Sequence, residues 1–325
     1  MKEIKWAVLG CGVIANEMAV ALQKNGKNIY AVGNRTHEKA AAFAEKYGIG
    51  KVYDDFHEMF TDPEIDVIYI TTPHNTHLGF MKEAIANGKH ILVEKSITLN
   101  SDELDEAIAL AKEKDVIIGE AMTIYHMPIY KELKKLLDSG RLGRVNLITM
   151  NFGSFKEYNM KNRFFNRNLA GGAMLDIGVY ALSFIRWFFN SKPDQLLSQV
   201  KPAPTGVDEQ AGLLLTNQEG QMASVMLSLH SKQPKRGMVS CENGFIEITE
   251  YPRAWEAKIT DASTGESEII KAGDNADALA YELADMERAI NGEASAMHLD
   301  YTKDVMDLMT SFRRTWGYTY PEEEK

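Results

Sequence analysis

Ile4-Lys5-Trp6-Ala7-Val8-Leu9-Gly10-Cys11-Gly12-Val13-Ile14-Ala15 decides how this chain is read. A short apolar run ends in Gly-x-Gly-x-x-Ala and passes directly into a helical pattern, the order that a dinucleotide-binding turn requires. Gly10 permits the tight turn, Gly12 lets the backbone approach a pyrophosphate, and Ala15 lets the helix pack close to its strand. The unpaired N–H groups of the new helix, around Val13 and Ile14, supply donors and positive potential for phosphates. Glycines mark any tight turn, so the reading gains its weight from the segments that follow.

Up to about residue 120, short β-rich runs alternate with longer helical patterns, which marks stacked β-α-β units and a parallel sheet. The predicted strands are 4–9, 28–32, 51–53, 67–70, 90–93 and 116–119. A helix is expected over 101–114, with Ser101 as N-cap and Leu104, Ala107, Ile108 and Ala111 at helical spacing. Beyond a helix ending near Asp138 the texture changes. Segments 145–152, 210–215 and 222–230 are β-like, and the last partly alternates as in a sheet with one solvated face. A second domain with an antiparallel sheet is expected, covered by helices near 172–189, 276–290 and 301–316. The domains are read as 1–122 and 123–325, with the acidic tail Glu322–Glu324 frayed and Met222 and Met226 in the core.

With 325 residues, 45% hydrophobic and 25% charged, the chain is globular and large enough for two domains. A net charge of −10 argues against broad attraction to nucleic acid or an anionic membrane, leaving a small molecule as the expected partner. No secretory pattern is visible at the start, so a cytoplasmic location is expected. Cys11 and Cys241 form no disulfide framework and read as packing residues. The apolar stretch around Leu182–Phe189 is interrupted by Arg186 and reads as a buried helix. No His, Cys, Asp or Glu grouping has metal-ligand spacing, and no metal is implied.

The second strand runs into Gly33-Asn34-Arg35-Thr36, with no Asp or Glu where an NAD site would hold the adenosine ribose. Arg35 points to a 2′-phosphate and favours NADP, with NAD as the other reading. Glu94-Lys95 closes the apolar run Ile91-Leu92-Val93. An open parallel sheet binds ligands outside the carboxyl ends of its strands, so a lysine there is a catalytic candidate. Asp176 and Tyr180 stand four residues apart in a nearly all-apolar helix, where a buried carboxylate needs partners.

Four motifs in order, Gly10–Ala15, Thr71-Thr72-Pro73-His74-Asn75-Thr76-His77, GKHILVEKS at 88–96 and GGAMLDIGVY at 171–180, resemble the glucose-fructose oxidoreductase/inositol dehydrogenase (Gfo/Idh/MocA) family. The resemblance implies an α/β architecture: an N-terminal Rossmann domain, then a C-terminal α+β domain with a largely antiparallel open sheet. It also implies NAD(P)-dependent oxidation or reduction of a sugar, polyol or diol, and a dimer or tetramer formed through that open sheet. Tyr180, where many members carry His, and Phe312–Gly317 are similar to the dimeric dihydrodiol dehydrogenases and NADP-dependent xylose dehydrogenases. Ser96 replaces the usual proline after Lys95, leaving a backbone N–H and more freedom in the turn.

The resemblance gives His74, Asn75 and His77 a supporting role near the dinucleotide, and Asn34, Thr71, Thr72, Pro73 and Glu94 complete the expected cofactor-binding set; His77 reads equally as a helix cap. Oxidising an alcohol needs a base for the hydroxyl proton. Tyr180 serves if Lys95 lowers its phenol pKa from about 10, with Asp176 orienting a second hydroxyl in the interdomain cleft. The alternative makes Lys95 the proton donor. Tyr125 and His126 are candidates for lining the cleft, while Arg163 and Asn168 are candidate substrate contacts that read more readily as surface residues. The competing function is a non-catalytic NAD(P)-binding regulator.

Overall fold

The computed structural model describes residues 3–324. Two compact units result, one reaching Ala121 and adding Leu279–Leu299, the other holding Met122–Ala278 and the chain from Asp300 onward. The first contains β1 (Trp6–Leu9), β2 (Ile29–Gly33), β3 (Lys51–Tyr53), β4 (Val67–Ile70), β5 (His90–Glu94) and β6 (Ile118–Ala121). All pair in parallel in the order β3-β2-β1-β4-β5-β6. Trp6–Leu9 and Val67–Ile70 are wholly buried, as expected of strands covered on both faces. The strand order reverses between β1 and β4, and ligands bind outside the strand ends at such a switch point.

The second unit contains β7 (Val145–Gly153), β8 (Gln195–Pro202), β9 (Asp208–Thr216), β10 (Met222–Ser228), β11 (Gln233–Cys241), β12 (Gly244–Thr249), β13 (Glu256–Asp261) and β14 (Ser267–Lys271). Their order is β14-β13-β12-β11-β7-β10-β9-β8, antiparallel apart from the β7–β10 pair. One face packs Ile148, Met150, Val225, Leu227, Val239 and Ile246 inward. The apolar stretch Arg167–Phe188, long enough for a bilayer, is largely buried within this unit.

Four local expectations change. The N-cap of helix Ser101–Lys114 is Asn100, whose Oδ1 accepts the Glu103 N–H at 2.9 Å; Ser101 is already helical. Met222 and Met226 are 41% and 57% exposed, because the alternation that buries Ala223, Val225 and Leu227 turns them to the outer face. Helix Ala278–Ile290 does not cover the second sheet. Its Leu283, Met286 and Ala289 join Trp6, Val8, Met18 and Leu22 in the core of the first unit. Finally, the acidic tail is docked rather than frayed. Buried Arg313 requires a counter-charge and receives both oxygens of Glu323, at 2.7 and 2.9 Å, while Arg167 pairs with Glu324.

Candidate functional site

The turn after β1 carries two glycines with opposite surroundings. Gly10 has φ +108°, and a Cβ there would lie 2.4 Å from Thr71 Oγ1 at the end of β4. Its N–H is taken by the Gly33 carbonyl at 2.8 Å. Gly12, by contrast, is exposed, with no atom within 4 Å of a Cβ position. It caps helix Val13–Lys24 without a side-chain hydrogen bond, and the first turn carries no acidic residue. Val13 is 80% exposed. Among the described residues the first turn of this helix brings no acid of its own to its donor N–H groups, which fits a dinucleotide pyrophosphate.

At the end of β2, Arg35 is exposed and Asn34 binds the Thr36 carbonyl through Nδ2 at 3.0 Å. Asp54 is engaged by His37 at 2.6 Å, and this hydrogen bond raises the His37 pKa. No side-chain ion pair holds Arg35 among the described residues.

Lys95 follows β5, half-buried, and its chain segment is anchored through its carbonyls. His74 Nε2 lies 3.0 Å from the Lys95 oxygen. His77 Nδ1 faces the Ser96 and Ile97 oxygens at 3.1 and 3.2 Å, and its Nε2 faces the Thr72 oxygen at 2.9 Å. Burial pushes the His77 pKa down, so the neutral ring donates through one nitrogen at a time. His77 thus begins helix His77–Ala86 but ties two loops together instead of capping it. The buried Glu120 accepts the Ile97 N–H at 3.0 Å, and Tyr69 donates to Glu94. Ser96 is fully buried, and its peptide bond with Lys95 is cis. The contacts of His74, His77 and Glu120 hold this turn, which lacks proline, on several sides. Thr72 and Thr76 hydroxyls meet at 2.7 Å; Pro73 is exposed and Asn75 half-buried.

In the second unit, Asp176 lies in a π turn, Met174–Gly178, that runs directly into helix Val179–Phe188 carrying Tyr180. The turn, rather than a regular α-helix, sets the step between them; such insertions are frequent at functional sites. Arg163 donates to Asp176 Oδ1 at 3.1 Å. That pair was not legible in sequence, since its members stand thirteen positions apart, with Arg163 at the start of the first of two short 3-10 turns. Tyr180 is half-exposed, its ring 6.2 Å from Phe152. Tyr125 and His126 are buried, with Tyr125 stacked on Trp187 at 6.0 Å and edge-on to Tyr301. Asn168 is exposed.

A further carboxyl, Asp208, stands behind the turn. Its Oδ2 accepts the Met174 N–H at 2.5 Å, and burial pushes its pKa up to about 7. Nothing local in the sequence connects residues 208 and 174.

Residues 4–122 match an oxidoreductase family with an NAD-binding Rossmann fold, and residues 130–247 match the GFO/IDH/MocA C-terminal domain. The trans-1,2-dihydrobenzene-1,2-diol dehydrogenase of Xenopus tropicalis is 32% identical over 248 residues, covering 75% of this chain and 74% of that protein. The Mus musculus protein of the same name is 26% identical, with 99% of each chain covered. Two solved structures share the fold. A 3-ketoreductase from Actinomadura kijaniata, in complex with NADP and TDP-benzene, has a TM-score of 0.85 at 20% identity, covering 96% of this chain and 98% of that one. An aldose-aldose oxidoreductase from Caulobacter crescentus has 0.86 at 22%, covering 97% and 98%. A Rossmann unit, a mostly antiparallel second sheet and a full-length match to dihydrodiol dehydrogenases place this chain in the Gfo/Idh/MocA family of oxidoreductases.

Proposed function

We propose that this protein uses NADP to interconvert a hydroxyl and a carbonyl on a cyclic diol, sugar or polyol. The carrying observation is the shared edge of the first sheet. The open helix N-terminus after β1, Thr71 after β4 and Lys95 after β5 follow three adjacent strands at their carboxyl ends. The dihydrodiol dehydrogenase relatives support the diol, and the A. kijaniata enzyme with its bound NADP supports the cofactor.

When bound, the nicotinamide supplies the hydride acceptor or donor. Gly10, Gly12, Val13, Ile14 and Ala15 would hold its pyrophosphate, with Arg35 on the 2′-phosphate and Thr71, Thr72, Pro73, Asn75, His77 and Glu94 around it. Tyr180 takes the proton from the reacting hydroxyl in oxidation and returns it in reduction. The Lys95 ammonium favours the phenolate, and Asp176, steered by Arg163, hydrogen-bonds a second hydroxyl. The outer face of the second sheet, with Leu147, Leu197, Leu214, Met222 and Met226 exposed, serves as a homodimer interface in a cytoplasmic enzyme.

The test is absorbance of NADPH on incubation with NADP and either trans-1,2-dihydrobenzene-1,2-diol or a panel of aldoses. Net NADPH is expected. Tight NADP binding with no turnover in either direction would instead favour a regulatory protein.

A further inference from the structure

Asp208 opens β9 and is fully buried, yet its carboxyl reaches the turn that carries Asp176. Oδ2 accepts the Met174 N–H, the first of the π turn, at 2.5 Å. Oδ1 occupies the space that a side chain at residue 172 would need: a Cβ on Gly172, whose φ is +126°, would fall 2.0 Å from it. From the other side, Tyr320 Oη donates to the Gly171 carbonyl at 2.8 Å. The charged and titratable groups facing Asp208 are Arg313 from helix Leu299–Thr315, with Tyr318 and Tyr320 from the segment after it. Arg313 is itself engaged by both oxygens of Glu323.

We propose that Asp208 is a positioning residue: by holding Met174 N–H and wedging against Gly172, it fixes the turn that presents Asp176 and Tyr180. It acts through the backbone, and the inference rests on the roles given to those two residues above. A turn start that is buried has N–H groups that must be satisfied, and here a carboxyl from a distant strand satisfies one.

The chemistry of the group gives this a signature. Burial raises the Asp208 pKa to about 7 from an ordinary 3.8. Opening the turn to water returns it towards the lower value, so the open form releases its proton first. The closed turn is therefore favoured most below the lower value, weakens as pH rises between the two, and changes little above about 7.

Hydrogen exchange of the Met174–Val179 amides in the full chain, expressed as protection relative to the free peptide rate, reads this directly. Protection should fall about tenfold from pH 6 to pH 8, and Asp208→Asn, which keeps an acceptor but cannot ionise, should show no such fall. Asp208→Ala should lower kcat about tenfold with KM for NADP within about twofold, and Asp208→Asn should restore kcat. An unchanged kcat in Asp208→Ala, or the same pH dependence of exchange in Asp208→Asn as in the original chain, overturns the proposal. If Asp208→Ala does not fold, exchange in the unsubstituted chain decides, and flat protection overturns it. Full turnover in Tyr180→Phe would remove the role of Tyr180 alone, while the exchange result still judges Asp208.

Discussion

Gly10 and Gly172 solve the same steric problem for opposite ends. Each has positive φ, and each makes room for a polar oxygen where a Cβ would stand, Thr71 Oγ1 at 2.4 Å and Asp208 Oδ1 at 2.0 Å. After Gly10 the helix N-terminus is left open, with an exposed Gly12 and no acid in its first turn. After Gly172 the chain closes its own turn with a buried carboxyl. An open N-terminus receives an anion from outside; a closed one holds side chains still. On the proposed function, cofactor binding and the presentation of Asp176 and Tyr180 fall to two turns of similar construction.

That contrast is open to attack. The largest effect should come from Tyr180→Phe, which removes the acid/base and should lower kcat about 10³-fold with NADP affinity unchanged in fluorescence titration. Next come the glycines. Alanine at either position adds left-handed strain and overlap of about 2–4 kcal/mol in total. Gly10→Ala should raise the Kd for NADP, whereas Gly172→Ala should lower kcat and leave that Kd alone. If both changes move the same constant, the division between the turns is wrong. The smallest effect is expected from Arg35→Ala, an exposed side chain. Loss of a charge-assisted contact worth roughly 1.5–2 kcal/mol should weaken NADP binding more than tenfold and leave NAD binding nearly unaffected. Equal losses for the two cofactors would remove Arg35 from the 2′-phosphate.

Legibility followed burial. Buried strands of the parallel sheet announce themselves as continuous apolar runs, and Val67–Ile70 lies where the sequence predicts it. Edge strands of the second sheet, such as Gln195–Pro202 and Ser267–Lys271, are largely polar and exposed on their outer faces and give no such run. The cofactor turn was legible because its donors are local backbone groups in sequence order. Arg163 and Asp208 were not, since each meets the Asp176 turn through tertiary folding. Asn100 and Ser101 are both good caps, and only the observed Asn100 bond to Glu103 separates them. The tail reads as frayed because buried Arg313, its partner, looks in sequence like any helical arginine.

On the proposed function, Lys95 and Tyr180 serve one proton-transfer step. Steady-state kinetics of Lys95→Met, Tyr180→Phe and the double variant, with the diol or aldose that gives NADPH, tests it most directly. Residues acting as a unit are strongly non-additive, so the double variant should be no slower than the slower single one. Rate losses that multiply would show that the two residues act independently and would contradict the account.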